Sequence, residues 1–308
     1  MLWKIAGAPG AWGVEDSKNP NNPPYERVLS DASLAGYRGI ELGPYGYLPQ
    51  DINVLKKELE KHKLTIVAGT IYEDLLSEKN FETVIEKTKV TCELLSKLPK
   101  PSQIEGQRYE TPYLVVIDAV NKIRDPFAGH PNEAVRLDNK NRERLIDHLR
   151  IVGEIAKSYG VRAVVHPHAG GYIEFADEID YVMENLNSEE IGLCLDTGHL
   201  FYSKMSPDGW IKKYSDRLDY VHFKDVHLET YEKVLASYTG FFEGCEKGVM
   251  CPIGSGTVKY KAIKEALIEI GYKGWITIEQ ERDPLLADGS LGDAKKSINF
   301  LNQHGYNL

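Results

Sequence analysis

Several apolar segments of the chain end in side chains that can bind a metal ion or transfer a proton. One of them, residues 162–165, leads into His166 and His168 and then into glycines. Side chains alternate between the two faces of a β-strand, so these imidazoles point the same way. Later segments end in Asp196, in His222 and Lys224, and in Glu279 and Glu281. Because parallel barrel strands bring their ends to one face, we expect one shared site.

The histidine and carboxylate side chains at these strand ends predict a divalent metal site. Such an ion needs several nitrogen or oxygen ligands that converge on one point. We expect the ligands to be His166, Asp196, His222 and Glu279, with His168 as the other candidate on the fifth strand. A mixed nitrogen and oxygen set favours Mn²⁺ or Co²⁺, with Zn²⁺ as the alternative. A single strand-end Asp often caps a helix, and a single His often only hydrogen-bonds. The metal is indicated by their joint occurrence on four successive strands.

Three further residues are candidates for proton transfer. Lys224 lies two positions after His222, on the same face of the strand. A buried lysine beside a cation has a lowered pKa and suits a general base or acid, whereas a salt bridge to a carboxylate is the structural alternative. His199 follows Asp196 by one helical turn and is a candidate proton shuttle or loop cap. Glu281 could bind substrate hydroxyls, act as an acid, or pair with Arg282 or Lys224.

A third group is predicted to contact the substrate: His168, Glu41, Asp118, Trp12 and Tyr45. Glu41 is an isolated acid in an apolar strand, where it would hold either the barrel floor or a substrate hydroxyl. Asp118 ends the fourth strand. Trp12 and Tyr45 lie in loops, where an aromatic ring stacks on a sugar or simply covers the core.

The elements that must position these residues alternate between strand and helix. Strands are predicted to begin near residues 4, 39, 64, 113, 162, 191, 220 and 275, each followed by a helical pattern. The pattern predicts an α/β fold, a single (βα)8 TIM barrel over residues 1–308, with an insertion at about 226–256 between strands seven and eight. A doubly wound sheet is the alternative, but residues 7–10 do not match its glycine-rich turn.

Composition narrows the class of protein. The 308 residues are 42% hydrophobic and 27% charged, with a formal net charge of −9, as expected for a soluble globular enzyme that does not bind nucleic acid. We find no apolar run of membrane-spanning length and no secretory leader. The four cysteines form no CxxC pair, which favours reduced thiols and a cytoplasmic location. Whether the protein forms a homo-oligomer stays open.

Longer stretches resemble a known family. Residues 36–43, 166–170, 195–200, 221–225 and 271–284 are similar to the xylose-isomerase-like barrels, which include sugar isomerases and epimerases, and among these to the inosose dehydratases. The resemblance implies a metal at the ends of strands five to eight. It also implies removal of water from a cyclic keto-polyol such as scyllo-inosose, through a metal-held enediolate. Lys224 or His199 would take the α-proton, and His199 or Glu281 would protonate the leaving hydroxyl.

Three positions depart from the family pattern. Dehydratases of this kind tend to have a third histidine where Pro167 stands, and a glutamate where Asp118 stands. The epimerases have a metal-binding glutamate at the position of His166, so His166 is the expected ligand and His168 would serve the substrate. Without that glutamate a two-carboxylate proton shuttle is disfavoured. A metal-dependent ketose isomerase or epimerase acting on a sugar or sugar phosphate remains the alternative, and a noncatalytic sugar-binding protein is a third.

Overall fold

Eight parallel strands close into a barrel, as the strand–helix alternation predicted. The computed structural model describes residues 3–308. The strands are β1 (Trp3–Gly7), β2 (Gly39–Glu41), β3 (Thr65–Glu73), β4 (Tyr113–Asp118), β5 (Arg162–Val165), β6 (Gly192–Asp196), β7 (Leu218–Phe223), β8 (Asp225–Val226), β9 (Met250–Cys251) and β10 (Gly274–Ile278). The barrel order is β1, β10, β7, β6, β5, β4, β3, β2, and β8 pairs with β9 outside it. The loops that follow β1, β7 and β10 are therefore neighbours.

Helices cover the outside of this barrel. They are α1 (Tyr25–Ala35), α2 (Ile52–His62), α3 (Glu78–Lys97), α4 (Asn139–Ser158), α5 (Ala176–Asn185), α6 (Thr197–Tyr202), α7 (Pro207–Lys213), α8 (Leu228–Ala236), α9 (Phe241–Glu246), α10 (Tyr260–Glu269) and α11 (Ser290–Gln303). Side chains at the starts of α2, α3 and α4 accept backbone N–H groups; they belong to Asp51, Ser77 and Asp138. Such caps supply partners that the first turn of a helix lacks.

Apolar side chains fill the lower part of the barrel. The strands contribute a buried cluster that includes Val67, Val115, Val164, Tyr220 and Trp275. A packed floor of this kind leaves the open space at the C-terminal ends of the strands, where barrel enzymes bind their substrates.

Most predicted strands agree with the structure to within a few residues, but β3 extends to Glu73, beyond the predicted end at residue 70. The predicted insertion between the seventh and eighth barrel strands contains α8, α9 and the β8–β9 pair, in which Asp225 lies opposite Cys251. In residues 3–308 no helix is both long and apolar enough to cross a membrane.

Candidate active site

Four predicted metal ligands meet at the C-terminal end of the barrel. One ligand atom from each of His166, Asp196, His222 and Glu279 lies within 4.8 Å of every other. His166 follows β5 directly, Asp196 ends β6, His222 lies near the end of β7, and Glu279 follows β10. Because these strands are adjacent in the barrel, residues far apart in the chain converge on one point.

Asp196 is held by the helix that it begins. Its Oδ1 accepts the backbone N–H groups of Gly198 and His199, each at 2.8 Å. Its Oδ2 is buried without a hydrogen-bond partner and lies 3.7 Å from His166 Nε2. The carboxylate is therefore oriented by one oxygen, while the other faces the cluster.

His222 packs against the carboxylate of Glu41. The Nε2 atom of His222 lies 2.9 Å from Glu41 Oε1, which also accepts the hydroxyl of Tyr220 at 2.7 Å. The second ring nitrogen, Nδ1, lies 3.1 Å from Glu279 Oε2. A carboxylate on the far nitrogen of an imidazole commonly fixes the orientation of a metal ligand.

Lys224 lies between two groups of residues. Its Nζ is 3.4 Å from Asp196 Oδ2, 3.3 Å from Glu279 Oε2, and in contact with Glu281 Oε1. Burial opposes its positive charge, but the three carboxylates hold the pKa of Lys224 well above its ordinary value. In the protein without a metal ion the charges of these neighbours outweigh desolvation, and a lowered pKa for Lys224 beside a bound cation stays a prediction.

A second group comprises His168, His199 and Glu281, whose ligand-type atoms also lie within 4.8 Å of one another. His168 Nδ1 is 2.9 Å from the carbonyl of Ala169 and therefore carries a proton, which leaves Nε2 unprotonated. Burial and then the neighbouring His166 lower the pKa of His168 to about 3, so this ring is neutral.

His199 has the opposite tautomer. Its Nδ1 accepts the N–H of Ala169, so the neutral ring carries its proton on Nε2. Lys224 Nζ lies 3.1 Å from this Nε2, and because both groups are donors the contact is not a hydrogen bond. Burial, together with His168 and Lys224, holds the pKa of His199 well below its ordinary value. In this arrangement His199 can donate a hydrogen bond at Nε2, but Nε2 has no lone pair with which to accept a proton.

A cavity of about 270 Å³ opens above these residues. This volume is close to the lower end of the roughly 300–1,000 Å³ typical of ligand sites. Aromatic rings from α9 cover the histidines: the Phe241 ring lies 4.9 Å from His168 and from His199, and Phe242 lies 6.1 Å from His168 and from Tyr72. The cavity therefore combines an apolar cover with a polar floor.

Two residues predicted to bind substrate do not line this cavity. Trp12 is fully buried, and its indole N–H donates to Asp31 at 3.1 Å. Asp118 is buried and accepts the backbone N–H groups of Leu75 and Tyr172 with separate oxygens, at 3.2 and 2.7 Å. Both side chains anchor loops in this structure, and their expected contact with substrate stays a prediction.

The remaining candidates lie at the cavity. His168, Glu41, Tyr45, His199, Lys224 and Glu281 line it, together with the ligand candidates His166 and Glu279. Asp196 and His222 are buried among the same side chains.

Sequence reasoning missed three parts of the cavity wall. Glu15 lines it from the loop after β1, Phe242 from α9, and Glu73 with Lys87 from β3 and α3. The Glu73 carboxylate is bound by Lys87 and by Asn80, the latter at 3.0 Å. Glu15 stands next to Asp16 in a segment rich in Asn and Pro, a composition typical of an ordinary polar loop. The path of that loop, which the sequence does not reveal, determines where the Glu15 side chain lies.

The first cluster fits a divalent cation. Both ring nitrogens of His166 and of His222 and the Oδ2 atom of Asp196 are buried without hydrogen-bond partners among residues 3–308. Buried polar atoms are normally satisfied, so such a group points to a missing partner. The surrounding positive charge of Lys224 lowers the pKa of Asp196, and the charges of His222 and Lys224 lower that of Glu279, although burial opposes both shifts. Burial opposes a charge on His222, but Cys194, Glu279 and Glu41 hold the pKa of this ring well above its ordinary value. A divalent ion would therefore displace the proton of His222 and bind carboxylates that are already ionised.

Comparisons with known proteins agree with this geometry. Residues 29–304 match the family model for the xylose isomerase-like TIM barrel. Relatives include an inosose dehydratase of Geobacillus thermodenitrificans, 30% identical over 292 residues, with 92% of each chain covered. Similar solved structures include the IOLI protein with a binding zinc atom, at 18% identity and a TM-score of 0.72, covering 98% of this chain and 99% of that one. Another is a D-allulose 3-epimerase from Methylomonas sp. in complex with D-allulose, at 18% identity and a TM-score of 0.67, covering 98% and 97%. The chain belongs to the xylose isomerase-like TIM barrel family.

Proposed function

We propose that this protein is a metal-dependent dehydratase that removes water from a cyclic keto-polyol of the inosose type. The observation that carries the proposal is the placement of a proton-transfer group, Glu281 with Lys224, directly beside a four-residue ligand set in one cavity. The inosose dehydratase relatives, which align over most of the chain, support the same substrate class.

His166, Asp196, His222 and Glu279 would hold the cation, with Glu41 orienting His222. A bound divalent ion polarises a ketone and so acidifies the neighbouring C–H bond. We propose Mn²⁺ or Co²⁺, with Zn²⁺ as the alternative, because a mixed imidazole and carboxylate set accepts each of them.

Glu281 is proposed to take the α-proton of the substrate. Its Oε1 contacts Lys224, whereas its Oε2 is buried without a partner in the described part of the chain, and the side chain lines the cavity. One oxygen is thus fixed by an ammonium group while the other is free to accept a proton. Glu281 replaces Lys224 and His199, the bases expected from the sequence, because Lys224 is held charged and His199 Nε2 already bears a proton.

Lys224 and His199 have supporting roles in this scheme. The Lys224 ammonium lies at hydrogen-bonding distance from Glu281 and close to Asp196, so it stabilises negative charge on the carboxylates as protons move. The N–H of His199 Nε2 and the unprotonated Nε2 of His168 offer a donor and an acceptor for substrate hydroxyls. Phe241 and Phe242 limit the access of water to these groups.

An isomerase or epimerase of a ketose is the second candidate, and the epimerase among the similar structures favours it. Proton transfer on both faces of a sugar needs acid–base groups on opposite walls. Here β5 supplies His166 and His168, and Glu73 on the β3 side is bound by Lys87. Glu279 and Glu281 both follow β10, on one side of the cavity. The β5 and β3 sides thus supply imidazoles and a paired carboxylate in place of a second carboxylate base, which favours elimination.

Incubation with scyllo-inosose and with ketohexoses tests the proposal. The metal-loaded protein should convert scyllo-inosose to a product lighter by one water, with new ultraviolet absorbance from the enol or dione, and Glu281→Gln should abolish the conversion. Solvent deuterium that enters a ketohexose without loss of water would favour the isomerase. Binding of polyols without any metal-dependent turnover would favour the hypothesis of a noncatalytic sugar-binding protein.

A further inference from the structure

Glu15 is a carboxylate that the scheme above does not use. It lies in the loop after β1, and β1 pairs with β10 in the barrel, with Gly7 opposite Ile278. This pairing brings the Glu15 loop beside the segment that carries Glu279 and Glu281. Glu15, Glu281 and Lys224 line the same cavity.

The position of the Glu15 carboxyl is set by Gly10. A Cβ atom placed on Gly10 would come within 2.7 Å of Glu15 Oε1, so this carboxyl packs on a bare glycine backbone. Glu15 is an exposed residue, and among the described residues no hydrogen bond contributes to its pKa. Glu73 lines the same cavity but is bound by Lys87 and Asn80, and Asp16 accepts the backbone N–H of Lys18. The carboxyl of Glu15 is thus available to a ligand.

The neighbours of Glu15 favour its protonated form. Loss of hydration beside the surrounding protein, and then the negative charges of Glu281 and Glu279, raise the pKa of Glu15 above its ordinary value, against the opposing charge of Lys224. A carboxyl that holds its proton more tightly is better able to serve as a general acid near neutral pH. The cavity is therefore lined by a carboxyl that favours its protonated form and by a second one that an ammonium group holds.

We propose that Glu15 is the general acid that protonates the departing hydroxyl, an inference that rests on the proposed dehydratase function. Glu281 takes the α-proton, and the C–H electron pair forms the new carbon–carbon double bond. The β carbon–oxygen bond breaks, and the oxygen takes the proton of Glu15 and leaves as water. Glu15 is then ionised and Glu281 protonated, and both return to their first states by exchange with solvent, since no electron is gained or lost.

The test separates loss of the hydroxyl from loss of the α-proton. Three rates are measured on Glu15→Gln: water elimination from scyllo-inosose by absorbance, α-hydrogen exchange in D₂O by NMR, and fluoride release from an analogue with fluorine in place of the β-hydroxyl. Fluoride leaves without being protonated. We expect water elimination to fall roughly 100-fold or more, while exchange and fluoride release stay within about threefold of the wild type.

Controls exclude a merely structural effect. Metal content and thermal unfolding of Glu15→Gln should match the wild type, and Glu15→Asp should recover part of the water elimination. Glu26→Gln, which removes an exposed carboxylate at the start of α1, should change none of the three rates. In Glu281→Gln, by contrast, exchange and elimination should fall together.

Two results would overturn the inference while leaving the dehydratase in place. One is unchanged water elimination by Glu15→Gln; the other is an equal fall in water elimination, exchange and fluoride release. If the wild-type protein exchanges the α-hydrogen but never loses water, the proposed function itself fails, and the role of Glu15 with it.

Discussion

His199 accepts the backbone N–H of Ala169 at its Nδ1 atom, across a distance of 3.1 Å. This hydrogen bond joins the first turn of α6 to the loop after β5, and it determines which ring nitrogen carries the proton. Nε2 faces Lys224 and Glu281, at 3.1 and 3.7 Å. A histidine that resembles a general base in the sequence is thereby made a hydrogen-bond donor toward the cavity.

The tautomer of His199 can be measured directly. In the metal-free protein, ¹⁵N NMR should show an unprotonated Nδ1 and a protonated Nε2 for His199 between pH 6 and pH 9. The signal should not move toward the imidazolium form as pH falls to 6, since burial and nearby positive charge lower its pKa. A ring that takes up a proton in this range, or has the reverse tautomer, would contradict the assignment.

The His168 imidazole should make stability depend on pH. Its folded-state pKa is lowered to about 3, whereas an unfolded histidine titrates near 6.5. The unfolded chain therefore binds more protons between these values, and the contribution of His168 to stability is lost as pH falls through that window. For one such group the slope reaches at most about 1.4 kcal/mol per pH unit.

Asp118 and Glu174, whose raised pKa values are each about 7, change stability with pH in the opposite direction over part of this range. The contribution of His168 to the slope is therefore isolated by comparing variants. Urea unfolding at pH 4.5, 5.5 and 6.5 should give a smaller slope for His168→Gln than for the wild type. His227→Gln, which changes an exposed histidine, should leave the slope as it is. Equal slopes for all three proteins would contradict a neutral, buried His168.

Asp196 should be needed for metal binding. Asp196→Asn keeps an acceptor for the N–H groups of Gly198 and His199 but removes the charge that faces His166. We expect the dialysed variant to lose most of its divalent metal by mass spectrometry. It should also lose the rise in melting temperature on adding metal, a stabilisation that reaches about 2.7 kcal/mol at a hundredfold excess over Kd.

Asp118→Asn is the matched control, since this aspartate also ends a barrel strand but binds two backbone N–H groups instead of facing the cluster. It should keep the wild-type metal content. Equal metal loss in both variants would show that the loss in Asp196→Asn does not come from removing a charge that binds the ion.

The sequence predicted the site where strand geometry alone determines position. His166, Asp196, His222 and Glu279 lie at or next to strand ends, and parallel strands of a closed barrel bring those points together. Trp12 and Glu15 lie in one loop after β1, where no such periodicity applies. The path of that loop buries Trp12 and presents Glu15, and neither outcome can be read from residue type.

The pKa of Lys224 also depends on contacts that form only in the folded structure. The sequence placed Lys224 beside a metal site and so predicted a lowered pKa. In the metal-free fold it contacts carboxylates from β6 and from the segment after β10, and their charges raise this pKa instead. Glu174 follows β5 in the chain, and in the fold it accepts the N–H of Gly170 and so anchors the loop that contains this glycine.

Lys224 should neutralise its carboxylate neighbours in the metal-free protein. Lys224→Met leaves Asp196, Glu279 and Glu281 buried without their shared cation, which costs about 3–5 kcal/mol. Their folded-state pKa values would then rise above the unfolded ones, so the remaining stability is present at low pH and is lost as pH rises. Urea unfolding should therefore show a larger deficit at pH 8 than at pH 5.

The control for this loss is Lys87→Met, which breaks a half-exposed pair with Glu73 and should cost at most about 1 kcal/mol. A deficit of Lys224→Met that does not vary with pH would show that lost packing, and not the unpaired carboxylates, explains it.

Arg124 should hold the loop after β5 in place through Glu174. The guanidinium of Arg124 is fully buried, bonds Glu178 at 2.6 Å and lies 3.4 Å from Glu174. Glu174 in turn accepts the N–H groups of Gly129 and Gly170, at 2.7 and 2.9 Å. Arg124→Met leaves the buried carboxylate of Glu174 without a cation and Glu178 with only Arg136, at 3.5 Å, and we expect a loss of about 3–5 kcal/mol in urea unfolding.

The same variant should expose the loop that carries His168. Hydrogen exchange at residues 168–171 should speed up in Arg124→Met, because Glu174 without its guanidinium partner is a weaker anchor for Gly170. Arg136→Met breaks a more exposed pair with Asp177 and a longer contact of 3.5 Å with Glu178, which keeps Arg124, so it should cost about 1 kcal/mol or less, without faster exchange in that loop. If both variants lose the same stability, or if exchange at residues 168–171 is unchanged in Arg124→Met, the buried ion pairs do not position this side of the site.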